Sequence, residues 1–257
     1  DIVFHAGSTL FVNGVTTPFE KYTDTKFRYV ATPRIMCPAE NGTTTQDSKD
    51  LLSALQTFGW EHPEISPLLI LGWIGCSLIC GAIEWRPHLW ITGPKGCGKS
   101  TLDGLVCGIL GDLALHIQGS TTEAGLRQSL NGDSRPILFD EFEADGKHAD
   151  AVIDTARSAA SNNAAPVVKG TPEGNPIYYK LQFAAMFSGI IANAKRDADR
   201  SRIVFLEMHR VARDEDQRQR LIDNRERFRV DFGSGLLRRM LDTLTSGKFD
   251  AALSIFK

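Results

Sequence analysis

The stretch Gly93-Pro-Lys-Gly-Cys-Gly-Lys-Ser100 constrains this chain more than any other part of it. It fits the pattern G-x-x-x-x-G-K-[ST], follows the β-prone run HLWIT, and opens the helix-forming run STLDGLVCGIL, Ser100 to Leu110. Glycines let backbone N–H groups wrap phosphate oxygens, and the start of the helix adds positive potential at the same place. Gly93, Pro94, Lys95, Gly96, Cys97, Gly98, Lys99, Ser100 and Thr101 are therefore the candidate nucleotide-binding residues. Lys99 would reach the β- and γ-phosphates of ATP, and the Ser100 hydroxyl would hold Mg²⁺. A strand, a loop of this kind and a helix predict a P-loop NTPase: an α/β fold with a central parallel sheet flanked by helices.

The next acids narrow the class. Pro136-Ile-Leu-Phe-Asp-Glu-Phe142 reads as a hydrophobic strand that ends in two adjacent carboxylates. Asp140 can complete the metal shell and Glu141 can polarise the attacking water. The plainer alternative is a strand that ends in a solvated acidic turn. Between the two motifs the chain has room for an extra strand, LALHIQG (113–119), and a capped helix, TTEAGLRQSL (121–130). A strand added between loop and acids belongs to ATPases that carry a catalytic glutamate; small-molecule kinases usually lack the Asp-Glu pair.

Downstream, QFAAMFSGII (182–191) suits a buried central strand, and Ser188 and Asn193 near its end are equal candidates for a polar sensor of the γ-phosphate. A basic loop, NAKRDADRS, then feeds a last strand, Ile203 to Met208. Arg200 and Arg202 before that strand are placed to reach a neighbouring subunit's nucleotide, where an arginine is worth about 10³–10⁵ in rate. The competing reading pairs them with Asp197 and Asp199.

Between the acids and the sensor run lies VVKGTPEGNPIYYK, Val167 to Lys180, two β-prone arms around a tip of Pro, Gly and Asn. This is the grammar of a hairpin. Lys169 and Lys180 supply charge for phosphates, and Tyr178 and Tyr179 could stack on bases or simply pack.

The series GPKGCGKST, GSTTEAGLRQSL, ILFDEFE, the hairpin, MFSGI and ADRSRI resembles the AAA+/superfamily 3-type helicase domain of phage and mobile-element primase-helicases, over roughly Trp85 to Met208. The resemblance implies an AAA+-like ATPase that assembles as a homo-oligomeric ring, usually a hexamer. Such a ring hydrolyses ATP at subunit interfaces and moves single-stranded DNA through its centre. It implies roles in nucleotide and Mg²⁺ binding for Lys99 and Ser100, in metal and water for Asp140 and Glu141, and as a finger for Arg202 first and Arg200 second. The family commonly has an asparagine directly after the sensor strand, where this chain has SGI before Asn193. No priming or zinc signature occurs in these 257 residues, so a primase domain would lie elsewhere in a longer chain.

The flanks are expected to serve the core. Residues 1–46 alternate apolar and polar with Asn-Gly at 13–14, predicting a small β-rich segment and a linker. Residues 47–86 predict helices that pack on the ATPase or form a collar, 87–210 the ATPase core, and 211–257 a C-terminal helical lid. The uncharged run Ser66 to Ile83 approaches a short membrane span in length, but its three glycines and the motor that follows favour a helix buried against a sheet. In the lid, acids interleave the arginines of RVARDEDQRQRLIDNRERFRV, which predicts a solvated helix. Arg238 or Arg239 is a candidate second sensor near the phosphates.

A net charge of -2 confines any nucleic-acid site to a local patch. The five cysteines lack paired short spacings, Cys76 and Cys80 falling i, i+4 on an apolar run, which predicts reduced thiols and a cytoplasmic protein, in a bacterial host if phage-encoded. No basic leader precedes DIVFHAG, and the start without Met suggests a piece of a longer chain. Two other functions compete: an AAA+ remodeller acting on a protein partner, and a monomeric P-loop kinase, against which the Asp-Glu pair and the trailing arginines count.

Overall fold

The computed structural model describes residues 1–23, 28–130, 132–142, 147–170, 175–190 and 197–255. In chain order the elements are β1 (Val3–His5), β2 (Leu10–Val12), β3 (Val15–Thr17), α1 (Thr45–Gln56), α2 (Ser66–Leu78), β4 (His88–Thr92), α3 (Lys99–Leu110) and β5 (Leu115–Gln118). There follow α4 (Glu123–Leu130), β6 (Ile137–Asp140), α5 (Lys147–Ala159), β7 (Val167–Gly170), β8 (Pro176–Tyr179), β9 (Ala185–Ser188), α6 (Asp197–Arg200), β10 (Ile203–Glu207), α7 (Glu215–Arg227), α8 (Val230–Thr245) and α9 (Lys248–Ser254).

Five strands form a parallel sheet in the order β10-β4-β9-β6-β5. The strand that comes between the loop and acid motifs in the chain, β5, thus lies at the sheet's edge. The strand that separates β4 from β6 in space is the later β9. Strand side chains alternate between two faces, and the sheet shows it residue by residue. Leu89, Ile91, Leu138, Met186 and Leu206 join a core with α1, α2, α3 and α8. Trp90, Ile137, Phe139, Ala185 and Phe187 face the opposite core with α4 and α5. The sheet is covered on both faces, as a parallel sheet requires, and the fold is the α/β P-loop type.

The N-terminal strands form a separate antiparallel sheet, β1-β2-β3. Asn13 and Gly14 turn between β2 and β3 with φ of 49° and 84°, the left-handed geometry that an Asn-Gly hairpin turn demands. Arg238 of α8 donates to the Gly14 carbonyl, so this sheet is tied to the last helices.

Helix ends follow local rules. Thr44 and Asp47 form a reciprocal cap on α1, and Asp214 and Gln217 do so on α7, which buries no residue, as its interleaved charges predict. In α2, Ile70, Trp73, Ile74 and Leu78 are buried, but Leu68 is 52% exposed, so the helix is not enclosed all round. No helix among the described residues is long and apolar enough to cross a membrane. Cys80 is buried in the core and its thiol is pushed up to about 11 by that burial, while Cys76 packs against the same core. Helix α5 was not expected, although Ala149, Val152, Ile153 and Ala156 fall at helical spacing and are buried.

Candidate nucleotide site

The loop after β4 is built by glycines whose backbones no other residue could adopt cheaply. Gly96 and Gly98 have φ of 80° and 107°, and Gly98 is the residue from which α3 starts. A Cβ on Gly93 would lie 2.3 Å from the Met208 carbonyl oxygen, because the chain leaving β10 runs directly beside the loop. Lys99 Nζ donates to the Gly93 and Pro94 carbonyls at 2.6 and 3.3 Å and lies 3.7 Å from the buried Cys97 Sγ. Ser100 is exposed at the first turn of α3, followed by Thr101, whose N–H bonds the Gly98 carbonyl. Lys95 is exposed at the tip, its carbonyl accepting from Arg210 Nε at 2.8 Å.

The acids arrive on β6. Asp140 is half-buried at the strand's end and Glu141 is exposed one residue on, with φ of 51°. A non-glycine residue in that region is strained by about 1–3 kcal/mol and persists only where its surroundings hold it. Here Phe142 holds it. Its N–H bonds the Ser188 carbonyl at 2.7 Å, and its ring is fully buried against Trp90, Phe139 and Phe187. Gly119 and Gly189 approach the same turn so closely that a Cβ would fall 2.5 Å from the Glu141 oxygen and 2.4 Å from the Phe142 oxygen respectively.

Ser188, one of the two sensor candidates, is buried at the end of β9 beside this turn; the other, Asn193, lies outside the described residues. Ser188 faces Asp103, an acid that the sequence reading passed over. Asp103 is 7% exposed, and neither of its oxygens has a hydrogen-bond partner of good geometry. Burial first, and then the charge of Asp140, push its carboxyl up to about 7, against lowering by Ser188 and Lys99. Asp103 is the single acid in the helix KSTLDGLVCGIL, and its spacing alone does not distinguish it from an acid that faces water. Arg210 was also passed over, since one arginine in an arginine-rich run carries no distinguishing spacing.

These residues fit ATP with Mg²⁺. The glycine cradle and Lys99 suit phosphates, Ser100 and Asp140 offer a hydroxyl and a carboxylate, and the orphaned Asp103 oxygens lie close by. No group of three or more His, Cys, Asp or Glu residues suited to a metal occurs among the described residues. Mg²⁺ shared with phosphates does not need one, since it uses only one or two carboxylates.

Arg200 and Arg202 lie at the other end of the sheet. β10 runs parallel to β4, with Ile203 opposite His88 and Glu207 opposite Thr92. Five residues of strand, about 15 Å, therefore separate Arg202 from the loop that follows Thr92. Asp199, one of the two expected partners, is buried and bound by Arg157 of α5 at 3.3 Å, the side chain of the other, Asp197, lies outside the described residues, and Arg202 donates to the Ser201 hydroxyl. Arg238 bonds Asp242 and Gly14, and Arg239 bonds Thr43 and Thr45, so these two arginines of α8 are engaged with the N-terminal segment and their own helix.

The hairpin forms as β7 and β8, with its tip at 171–174 outside the described residues. Val167 pairs with Tyr179 and Lys169 with Ile177, so these side chains share one face. That face meets α4: Lys169 lies 3.9 Å from Glu123, and Arg127 stacks 4.8 Å over the Tyr179 ring while gripping Glu123 at 2.6 Å. On the other face Val168 and Tyr178 are 50% and 65% exposed. Lys180 is exposed just beyond β8.

No family model and no curated protein matches the chain. Among solved structures it is similar to the apo C-terminal region of NrS-1, with a TM-score of 0.46 and 15% identity over 91% of this chain and 54% of that one. It is also similar to JCV helicase with a bound phenoxyphenyl acetamide, with a TM-score of 0.44 and 13% identity over 78% and 55%. The chain thus spans about half the length of the structures it matches. At these scores the likeness adds no weight to the strand order, the glycine loop and the acid-bearing turn, which make this an α/β P-loop fold.

Proposed function

We propose that the chain is the ATPase motor of a ring-forming DNA helicase or translocase, a part of a larger replicative protein that also carries a primase domain. Lys99 and the loop residues 93–101 bind ATP, and Ser100 with Asp140 hold its Mg²⁺, which when bound neutralises charge on the phosphates. Glu141 accepts a proton from the attacking water, oriented by Ser188 or Asn193. Arg202, with Arg200 behind it, serves the nucleotide of a neighbouring subunit, because its own lies about a full strand length away. A ring, six subunits in the family it resembles, follows from that division of the site.

One observation supports the DNA reading most: the hairpin is connected to the hydrolytic turn. Gly119 N–H bonds the Asp140 carbonyl at 2.8 Å, α4 begins four residues later, and α4 grips the hairpin through Glu123 and Arg127. A change at Glu141 has a short packed route to Lys169, Tyr178, Tyr179 and Lys180, the groups offered to single-stranded DNA. In the test, single-stranded DNA stimulates ATP hydrolysis, and Lys169→Ala with Lys180→Ala removes the stimulation while nucleotide still binds. Hydrolysis indifferent to DNA would end the helicase reading.

A protein remodeller remains the second reading, favoured by the exposed apolar side chains Val168, Ile177 and Tyr178 on the hairpin. It predicts stimulation by unfolded protein instead of DNA, lost in Tyr178→Ala.

A further inference from the structure

Asp103 is a buried charged group of the nucleotide site to which the roles above give no work. It lies one turn beyond Lys99 and three residues beyond Ser100, so all three share a face of α3. That face looks toward the ends of β6 and β9, which bring Asp140 and Ser188. Both Asp103 oxygens are buried, and among the described residues no hydrogen bond of good geometry reaches them, although the Ser188 hydroxyl lies beside the carboxyl. Lys99, whose charge acts on Asp103, spends its ammonium on the Gly93 and Pro94 carbonyls.

A buried, unpaired carboxylate beside a second carboxylate is costly and asks for a cation. Other buried charges among the described residues have partners. Arg86 bonds Cys80, Ala159 and Asn162, and Asp199 has Arg157. Asp103 is thus an exception at the place where the proposed reaction brings a divalent cation. Mg²⁺ gives up its waters reluctantly, and those waters need acceptors. Ser100 and Asp140 offer few.

We propose that Asp103 is a positioning residue of the metal site, a second buried carboxylate that accepts hydrogen bonds from the water shell of the Mg²⁺ held by Ser100 and Asp140. The inference rests on the ATPase reading and adds a residue to it. Asp103 supplies acceptors and negative charge behind the cation, and it fixes how the cation sits against Asp140. The stability of the folded chain without metal is what it gives up.

That exchange supplies a test with two readouts of opposite sign. Mn²⁺ is titrated into the chain saturated with ADP, and free Mn²⁺ is read by electron paramagnetic resonance, with thermal unfolding measured on the same metal-free samples. Asp103→Asn keeps the shape and removes the charge. It should weaken Mn²⁺ binding on the order of tenfold, as loss of outer-shell partners does elsewhere, while raising the unfolding temperature or leaving it unchanged. ADP affinity in EDTA should not move. Asp103→Ala is measured alongside, so the result does not hang on one variant's folding.

A purely structural role, with the carboxyl bonded to Ser188, predicts the reverse: lower unfolding temperature and unaltered Mn²⁺ affinity. That outcome would overturn the proposal. Asp140→Asn separates the two levels of inference. If it weakens Mn²⁺ and Asp103→Asn does not, the Asp103 role fails and the nucleotide site stands. If neither does, the metal assignment itself fails and takes the Asp103 role with it.

Discussion

Glu141 stands in a backbone conformation that a glutamate avoids, and the neighbouring Phe142 keeps it there by bonding Ser188 and burying its ring. Phe142→Ala should therefore do two things. It should destabilise the fold by about 3–5 kcal/mol, as deletion of a buried ring does, and lower kcat well beyond any change in nucleotide affinity, because Glu141 loses its aim. Urea unfolding and steady-state kinetics with nucleotide titration measure both; an unchanged kcat would show that the strained turn is irrelevant to hydrolysis. His88, at the base of β4, supplies a pH test. Its ring accepts from Ala185 N–H through Nδ1 and donates to Ala156 through Nε2, and burial lowers its pKa to about 4 from the ordinary histidine value of about 6.5. The folded state thus resists protonation, so the stability from His88 is complete above pH 6.5 and is lost as pH falls toward 4. That is about 3 kcal/mol at most. Urea midpoints between pH 7.5 and 4.5 should fall less steeply in His88→Asn than in the native chain. At this scale the sequence showed the acid pair and the phosphate loop, since spacing defines both. It did not show Asp103, because a lone acid on a helix ordinarily faces water, and only the packed ends of β6 and β9 reveal that this one does not.

The hairpin and α4 are the elements that would join hydrolysis to movement. Turn-forming residues between two β-prone arms made β7 and β8 legible. Which face each lysine takes was not legible, because that depends on register and on α4 packing against one side. The register gives Lys169 an acidic neighbour, Glu123, and leaves Lys180 and Tyr178 to solvent. Lys180 should then carry more of the phosphate contact than Lys169. In binding of a single-stranded oligonucleotide followed by fluorescence anisotropy, Lys180→Ala should flatten the slope of log affinity against log salt by about 0.7. Lys169→Ala should change it less, and Glu123→Gln should strengthen binding by freeing Lys169. Equal effects of both lysines would contradict the assigned faces. The length of β9 was illegible for a related reason: within the apolar run that starts at Gln182, the strand is Ala185–Ser188 among the described residues, and apolar character alone does not mark where pairing with β4 and β6 stops.

Across the whole molecule, strand order decides what the chain can do alone. The P-loop strand β4 lies beside the edge strand β10, and parallel pairing sets Arg202 at the end of β10 far from its own loop. The sequence disclosed the central strands through their apolar runs, but not their spatial order, which is fixed by helices crossing between non-adjacent strands. Nor did it disclose that Arg238 and Arg239 of α8 are bound to the N-terminal segment, since those contacts join residues some 200 positions apart. In the proposed function one active site is built from two copies of this chain, and subunit mixing tests that division directly. Glu141→Gln and Arg202→Ala chains should each be inactive alone, yet mixed assemblies should regain part of the ATPase rate, because some interfaces then join an intact Glu141 with an intact Arg202. Recovery on mixing is the predicted result; assemblies of verified mass that contain both chains and show no recovery would contradict it.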